Sequence, residues 1–320
     1  MNGAKRTGWV KKKLIFFTIL AGVLILTAIF AKKLCPYDPD AQNLLMAQKA
    51  PSLEHPLGTD RYGRDMLSRV IAGSTVSIFS TLVLVAAITV IGTVIGMICG
   101  WHGGRVDSIL MRVTDLFLAF PSLIFAMAVA GVLGGGTKNA VLALGAVSWP
   151  KFARLSRSLT MAQKEEPYMK AARLSGCTVP QLLARHILPN IAGPILVTAV
   201  LDMGTMMMEL AGLSFLGFGA KPPAAEWGSM LNDGRALLQI APWMVLAPGG
   251  AVFVTVMVFN LWGDTLRDYM NPKEKSGGKR DEEKNNCSST CRSAGSGSFS
   301  GLYICRGRGE NLCLRNNWIQ

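Results

Sequence analysis

The chain has 320 residues, of which half are hydrophobic and only 17% charged, with a formal net charge of +13. A soluble domain usually carries about 25% charged residues, so this composition points to a membrane protein and argues against a water-soluble enzyme. The basic excess does not indicate nucleic acid, because no RNA- or DNA-binding signature and no interleaving of aromatic and basic residues accompanies it.

Six apolar stretches are predicted as transmembrane helices. Leu14–Ala31 is the first, 18 residues without a charge, behind Lys11, Lys12 and Lys13. At ~1.5 Å per residue it reaches about 27 Å, close to the bilayer core. A signal peptide is the rival reading. The run is long for one, and Ala31-Lys32-Lys33 is a poor cleavage site, so an uncleaved anchor is expected.

A polar loop over 32–75 follows. It holds Cys35-Pro36-Tyr37-Asp38-Pro39, an extended exit from the span, and then Leu57-Gly58-Thr59-Asp60-Arg61-Tyr62-Gly63-Arg64-Asp65. Asp60, Arg61, Arg64 and Asp65 can pair with one another and fix this loop on the outer face. A structural clasp formed by Gly58, Thr59, Asp60, Gly63, Arg64 and Asp65 is expected, with ligand contact as the alternative.

Val76–Trp101 is the second span and Ile109–Leu133 the third, carrying Arg112 and Asp115 near its start. Local pairing at i, i+3 accounts for those two charges. Gly131–Lys138 has some likeness to a phosphate loop, but Lys138 does not follow the last glycine directly. It reads as a turn, and any ATP must be bound by another chain. Ala140–Trp149, extended towards Leu155, is the fourth span and the weakest.

Residues 158–190 then form a charged, helix-forming insert between apolar stretches. Pro167 suits the first turn of a helix, where its missing N–H costs nothing. Gly176 ends that helix or lets a partner backbone approach. Val179–Ile187 is predicted as a second short helix, stopped before Pro189. Two short helices at an angle make a rigid knob, and small Ala171 and Ala172 let it enter a groove on a soluble protein.

Ile191–Phe218 is the fifth span and Pro242–Gly263 the sixth. The fifth carries Asp202 and Glu209. Intramembrane charges cost on the order of 2.5–3.5 kcal/mol each and face a cavity or a partner. Asp202, Met206 and Glu209 are spaced i, i+4, i+7 and share one helix face. They line a cation path, or else the acids pair with neighbouring spans while the methionines fill gaps.

From about Ser276 the chain turns polar and loses apolar periodicity. Cys287, Cys291, Cys305 and Cys313 lie here with no common zinc spacing. Residues 276–320 are expected to be a disordered tail or the product of a shifted reading frame.

With the N-terminus inside, the inner segments hold 17 Lys/Arg and the outer ones 9. The positive-inside rule therefore favours N-in, C-in, and places 158–190 in the cytoplasm. The expected organisation is an N-terminal anchor and outer loop over 1–75, a transmembrane core over 76–275, and the tail.

The pattern Ala171-Ala172-x-x-x-Gly176, nine residues, then x-Ile187-Leu188-Pro189 resembles the docking loop of permease subunits in ABC importers. With Leu-Gly-Thr-Asp-x-x-Gly-Arg-Asp over 57–65, it is similar to the dipeptide/oligopeptide/nickel group. Lys170 departs from that pattern, standing where a Glu usually precedes Ala-Ala. The resemblance covers roughly residues 10–273. It implies an all-α membrane fold of about six spans, with Lys170, Ala171, Ala172, Gly176, Ile187, Leu188 and Pro189 docking an ATPase. It also implies a second permease subunit, two cytoplasmic ATPase subunits that hold the ATP, and an extracytoplasmic solute-binding protein. No cofactor is expected in this chain, and the location is the plasma (inner) membrane. Leu201-Asp202-Met203-Gly204, Ala225-Glu226-Trp227-Gly228 and Phe259-Asn260-Leu261-x-Gly263-Asp264 look more like nickel permeases than peptide ones. A peptide cargo is the alternative, and a membrane receptor or scaffold that docks a partner without transport is the rival from another class.

Overall fold

The computed structural model describes residues 2–270, with side chains from residue 9. The expectations for 276–320 lie outside the described residues.

Helix α1 (Asn2–Ile29) is followed by the single turn α2 (Ala31–Leu34). The polar loop then leads into α3 (Met66–His102), the longest helix at 37 residues. Asp65 caps it, its Oδ2 accepting from the Ser68 N–H at 2.8 Å. Helices α4 (Gly104–Leu118) and α5 (Ser122–Val132) meet at 89°. The bend falls at Phe120-Pro121, because the residue before a proline is pushed out of helical geometry. The expected single span Ile109–Leu133 is thus a broken one.

Helix α6 (Thr137–Lys164) contains the expected fourth span, and α7 (Pro167–Leu174) begins on the predicted proline. The turn α8 (Val179–Gln181) opens into a π-helical turn, Leu182–Ile187, which runs directly into α9 (Leu188–Leu213). The expected stop before Pro189 does not occur. The wide π turn and the helix start at Leu188 place Pro189 where no intrahelical N–H is needed. Helices α10 (Trp227–Gly234) and α11 (Trp243–Met270) complete the described chain.

Four helices are long and apolar enough to cross a membrane: Trp9–Ile29, Met66–His102, Val179–Phe218 and Trp243–Met270. The bent pair α4–α5 supplies a fifth. The sixth expected span lies in α6, which is long enough at 28 residues but carries Lys138, Lys151, Arg154, Arg157 and Lys164. Six spans are therefore met only if α6 crosses with its charges compensated.

Three of the five are paired with acids of neighbouring helices. Lys151, Arg154 and Arg157 recur every third residue on α6. Lys151 pairs with Asp202 of α9, Arg154 with Asp115 of α4, and Arg157 with Asp107 of α4. Asp115 thus pairs across helices and not with Arg112, the partner expected from local spacing.

The centre of the fold is the α3–α6 contact. Gly92, Gly96 and Gly100 lie on one face of α3, and a Cβ on Gly96 would stand 2.2 Å from the Ala153 carbonyl oxygen. Small residues at this spacing let two membrane helices approach closely. One buried cluster surrounds this contact, including Leu84, Ile88, Leu144, Phe152 and Met203. A second, with Met66, Ile78, Trp227 and Met244, joins α3 to α10 and α11. Helix α1 is tied on through Thr75 Oγ1, which donates to the Ala28 carbonyl at 2.7 Å, and through Trp262 Nε1, which donates to Thr18 Oγ1 at 3.1 Å.

Candidate functional site: a docking knob, a clasp and an intramembrane acid pair

The segment 158–190 forms a compact knob. The Ser175 N–H closes α7 onto the Ala171 carbonyl at 3.0 Å, and Gly176 follows at φ +81°. That left-handed geometry suits glycine and lets the chain reverse. Thr178 and Gln181 form a capping box that starts the next turn. Met169, Leu182 and Ile187 face inward and are buried in the main core.

The outward surface is formed by Lys170, Ala171, Gly176, Leu188 and Pro189, all exposed. Ala172 is half-buried against the core, and Ile187 is fully buried. Ile187 is thus an anchor of the knob and not part of its surface, because the π turn rotates it inward. Leu174 is 90% exposed, an apolar side chain standing free beside Gly176. In the sequence motif Leu174 is one of the three unspecified positions between Ala172 and Gly176, and it is not assigned to the surface there. No sequence signal sets it apart, since Met169, Leu182 and Ile187 of the same segment fill the core.

Residues 55–69 form a tight clasp. Asp60 Oδ1 accepts from the Tyr62 and Arg64 N–H groups at 2.8 and 2.9 Å, and its Oδ2 accepts from Arg64 Nε at 2.6 Å. Arg69 Nε lies 3.7 Å from the same Oδ2, and both Arg64 and Arg69 are buried. Thr59 Oγ1 accepts from the Lys49 N–H at 2.9 Å and donates to the Met46 carbonyl. A Cβ on Gly63 would fall 1.8 Å from the Asn43 oxygen, so only glycine closes this turn. Trp243 Nε1 of α11 donates to the Thr59 carbonyl at 3.1 Å.

Of the four charged residues expected to pair with one another, two are redirected. Arg61 reaches Asp233 on α10 at 2.9 Å, and Asp65, occupied in capping α3, lies 2.9 Å from His55 Nδ1. Burial pushes the nearby Cys35 thiol up from its ordinary value, with Asp65 adding to the effect. Beside the clasp a cavity of about 150 Å³ is lined by Arg64, Arg69, Lys221, Ser229 and Asp233. Glu226, quoted from sequence only within a motif, is a buried carboxylate that holds three residues of the cavity lining. It accepts from Ser214 Oγ at 2.6 Å, the Ala220 N–H at 2.6 Å and Ser229 Oγ at 2.9 Å.

Asp202, Met206 and Glu209 share a face of α9 that is turned towards α5 and α6. Asp202 is buried and pairs with Lys151, whose side chain is 52% exposed. Glu209 accepts from Ser122 Oγ of α5 at 3.0 Å. The second oxygen of each carboxylate is buried without a hydrogen-bond partner. Met206 is buried between them. Pairing with neighbouring helices, the alternative reading from sequence, describes half of each carboxylate. Among the described residues no group of three or more His, Cys, Asp or Glu could hold a metal ion.

The family described as "Binding-protein-dependent transport system inner membrane component" matches residues 92–276. The dipeptide transport system permease protein DppC of Alkalihalophilus pseudofirmus is 40% identical over 258 residues, 81% of this chain and 85% of the relative. The nickel transport system permease protein NikC of Escherichia coli K12 is 40% identical over 254 residues, 79% of this chain and 92% of the relative. The glutathione transport system permease protein GsiD of Shigella boydii is 42% identical over 257 residues, 79% and 84% of the two chains. In fold, the chain is similar to an inward-facing form of the MetNI methionine ABC transporter, with a TM-score of 0.52 at 18% identity, covering 64% of this chain and 97% of that one. The chain therefore belongs to the family of binding-protein-dependent inner-membrane transport components, as a multi-pass permease subunit of an ABC importer that is not itself an ATPase.

Proposed function

We propose that this permease subunit carries nickel, free or chelated, across the inner membrane. It does so with a second permease subunit, two ATPase subunits on the cytoplasmic side that bind the ATP, and a solute-binding protein outside. The orientation is N-in, C-in. The knob 158–190 enters the ATPase through Lys170, Ala171, Leu174, Gly176, Leu188 and Pro189, while the clasp 55–69 holds the outer end of α3.

The nickel reading rests on one observation, the two unpaired carboxylate oxygens of Asp202 and Glu209 inside the helical core. Lys151 offsets one charge, so the face keeps a net negative character. A cation moving through a low-dielectric zone gains from such a field, whereas a peptide gains little. A conduction path must also release its cargo, which suits a charged face with Met206 better than a closed metal cage.

Glu209→Gln tests this, because it keeps size and the Ser122 contact while removing charge. Radiolabelled nickel uptake is expected to fall about tenfold at unchanged protein level, the effect of ~1.4 kcal/mol. Normal nickel uptake in that variant makes the acids structural. Uptake of a labelled dipeptide or glutathione by the wild type, and not nickel, reassigns the cargo and leaves the permease intact.

A further inference from the structure

Three elements converge on one indole ring. Trp101 is the penultimate residue of α3 and is buried. Arg173, in the last turn of α7, sets its guanidinium carbon 4.6 Å from the ring centroid. Lys164, the last residue of α6, places its ammonium 5.7 Å from the same centroid and donates to the Trp101 carbonyl at 2.6 Å. The ring also shares the main core with Met97 of α3 and with Met169, Leu182 and Ile187 of the knob.

Behind Trp101, α3 packs backbone to backbone on α6. A Cβ on Gly92 would stand 2.7 Å from the Trp149 carbonyl oxygen, and one on Gly100 would stand 2.8 Å from that of Arg157. Glycine at both positions is what lets the two backbones meet so closely. Helices α3 and α6 share this close seam, and α3 alone is about 55 Å long at ~1.5 Å per residue. Its other end is fixed in the clasp by Asp65 and Arg69. A push on Trp101 is thus delivered along the whole depth of the molecule.

We propose that Trp101 is the positioning residue that passes movement of α7 to the α3–α6 body, through its ring face and not only its bulk. The proposal rests on the reading of 158–190 as the ATPase-docking knob. Two cations against one indole ring add an electrostatic attraction to the apolar packing, so the contact resists separation more strongly than packing alone. Arg173 is exposed on its other side, so it lies between the ring and whatever meets α7.

The test uses the whole complex in proteoliposomes, with ATP hydrolysis and labelled cargo uptake read on one preparation. Trp101→Phe keeps a ring, and its uptake per ATP is expected within about twofold of wild type, as a Phe face still attracts cations. Trp101→Leu keeps apolar bulk without a ring, and its uptake per ATP is expected to fall about tenfold while hydrolysis persists, the scale of a partly buried cation–π contact. Arg173→Ala is expected to act in the same direction, and the Trp101→Leu/Arg173→Ala pair to be no worse than the stronger single variant, since both remove one contact.

A wild-type ratio in Trp101→Leu overturns the proposal, and equal impairment in the Phe and Leu variants reduces the ring to packing and overturns it too. If Trp101→Leu fails to assemble, Arg173→Ala alone decides, because its exposed side chain can be removed without disturbing the core. Leu174→Ser separates this from the docking reading. If it strips the ATPase while Trp101→Leu is normal, only the present proposal falls. If Leu174→Ser retains full ATPase, the docking reading falls as well.

Discussion

Leu174 stands on the knob with nine-tenths of its surface open, next to a glycine in the left-handed region. Burying a leucine in a partner groove contributes about 1.5–3 kcal/mol. Leu174→Ser is therefore expected to weaken ATPase co-purification by at least about tenfold, since each ~1.4 kcal/mol is a factor of ten. Unchanged co-purification in a pull-down at limiting ATPase would remove the knob's apolar anchor from the account. Pro167 and Gly176 were legible in sequence because each has one backbone geometry that it suits better than other residues. The partners of Asp202 and Asp115 were not, since Lys151 and Arg154 lie 51 and 39 positions away and only the packing of α6 brings them near. The burial of Ile187 was equally hidden, because a π turn shifts the facing of every residue after it.

At the scale of elements, apolar run length disclosed the long helices, and the proline at 167 disclosed α7. The bend of α4–α5 and the continuity of α9 past Pro189 depend on local geometry that a hydropathy pattern does not carry. The motifs that leaned towards nickel turn out to be packing contacts. A Cβ on Gly204 would meet Asn260 Oδ1 at 2.4 Å, and one on Gly263 would meet Leu201. Trp227 Nε1 donates to the Val70 carbonyl at 2.9 Å, and Gly228 abuts the Ala211 carbonyl oxygen. These contacts join α3, α9, α10 and α11 whatever the cargo, so they carry family and not substrate, and of the motif residues only Asp202 bears on the cargo. The α3–α6 seam gives a sharper expectation. Gly96→Val drives a side chain into the Ala153 carbonyl and is expected to cost roughly 3 kcal/mol or more, as overpacking against backbone does. Its thermal midpoint in detergent should fall clearly, while Gly22→Ala, whose Cβ meets nothing within 4 Å, should leave it unchanged. Equal midpoints for the two variants would show that the seam is loose.

At the scale of the whole molecule, a clasp sits at one end of α3 and a knob at the end of α6, with the acids of α9 between them. The class of the molecule was legible from composition and charge asymmetry, because a bilayer restricts what a chain can do with a polar backbone. What composition left open was α6, three of whose five charges are paired with acids from α4 and α9. The most direct test is sided transport. The complex is reconstituted in proteoliposomes of known orientation, with labelled nickel and the solute-binding protein on the face of the clasp and ATP on one face at a time. ATP on the face that carries Lys170 and Leu174 is expected to drive accumulation on that same side, and ATP on the clasp face to drive none. Accumulation without ATP, or driven by ATP from the clasp face, would contradict the account.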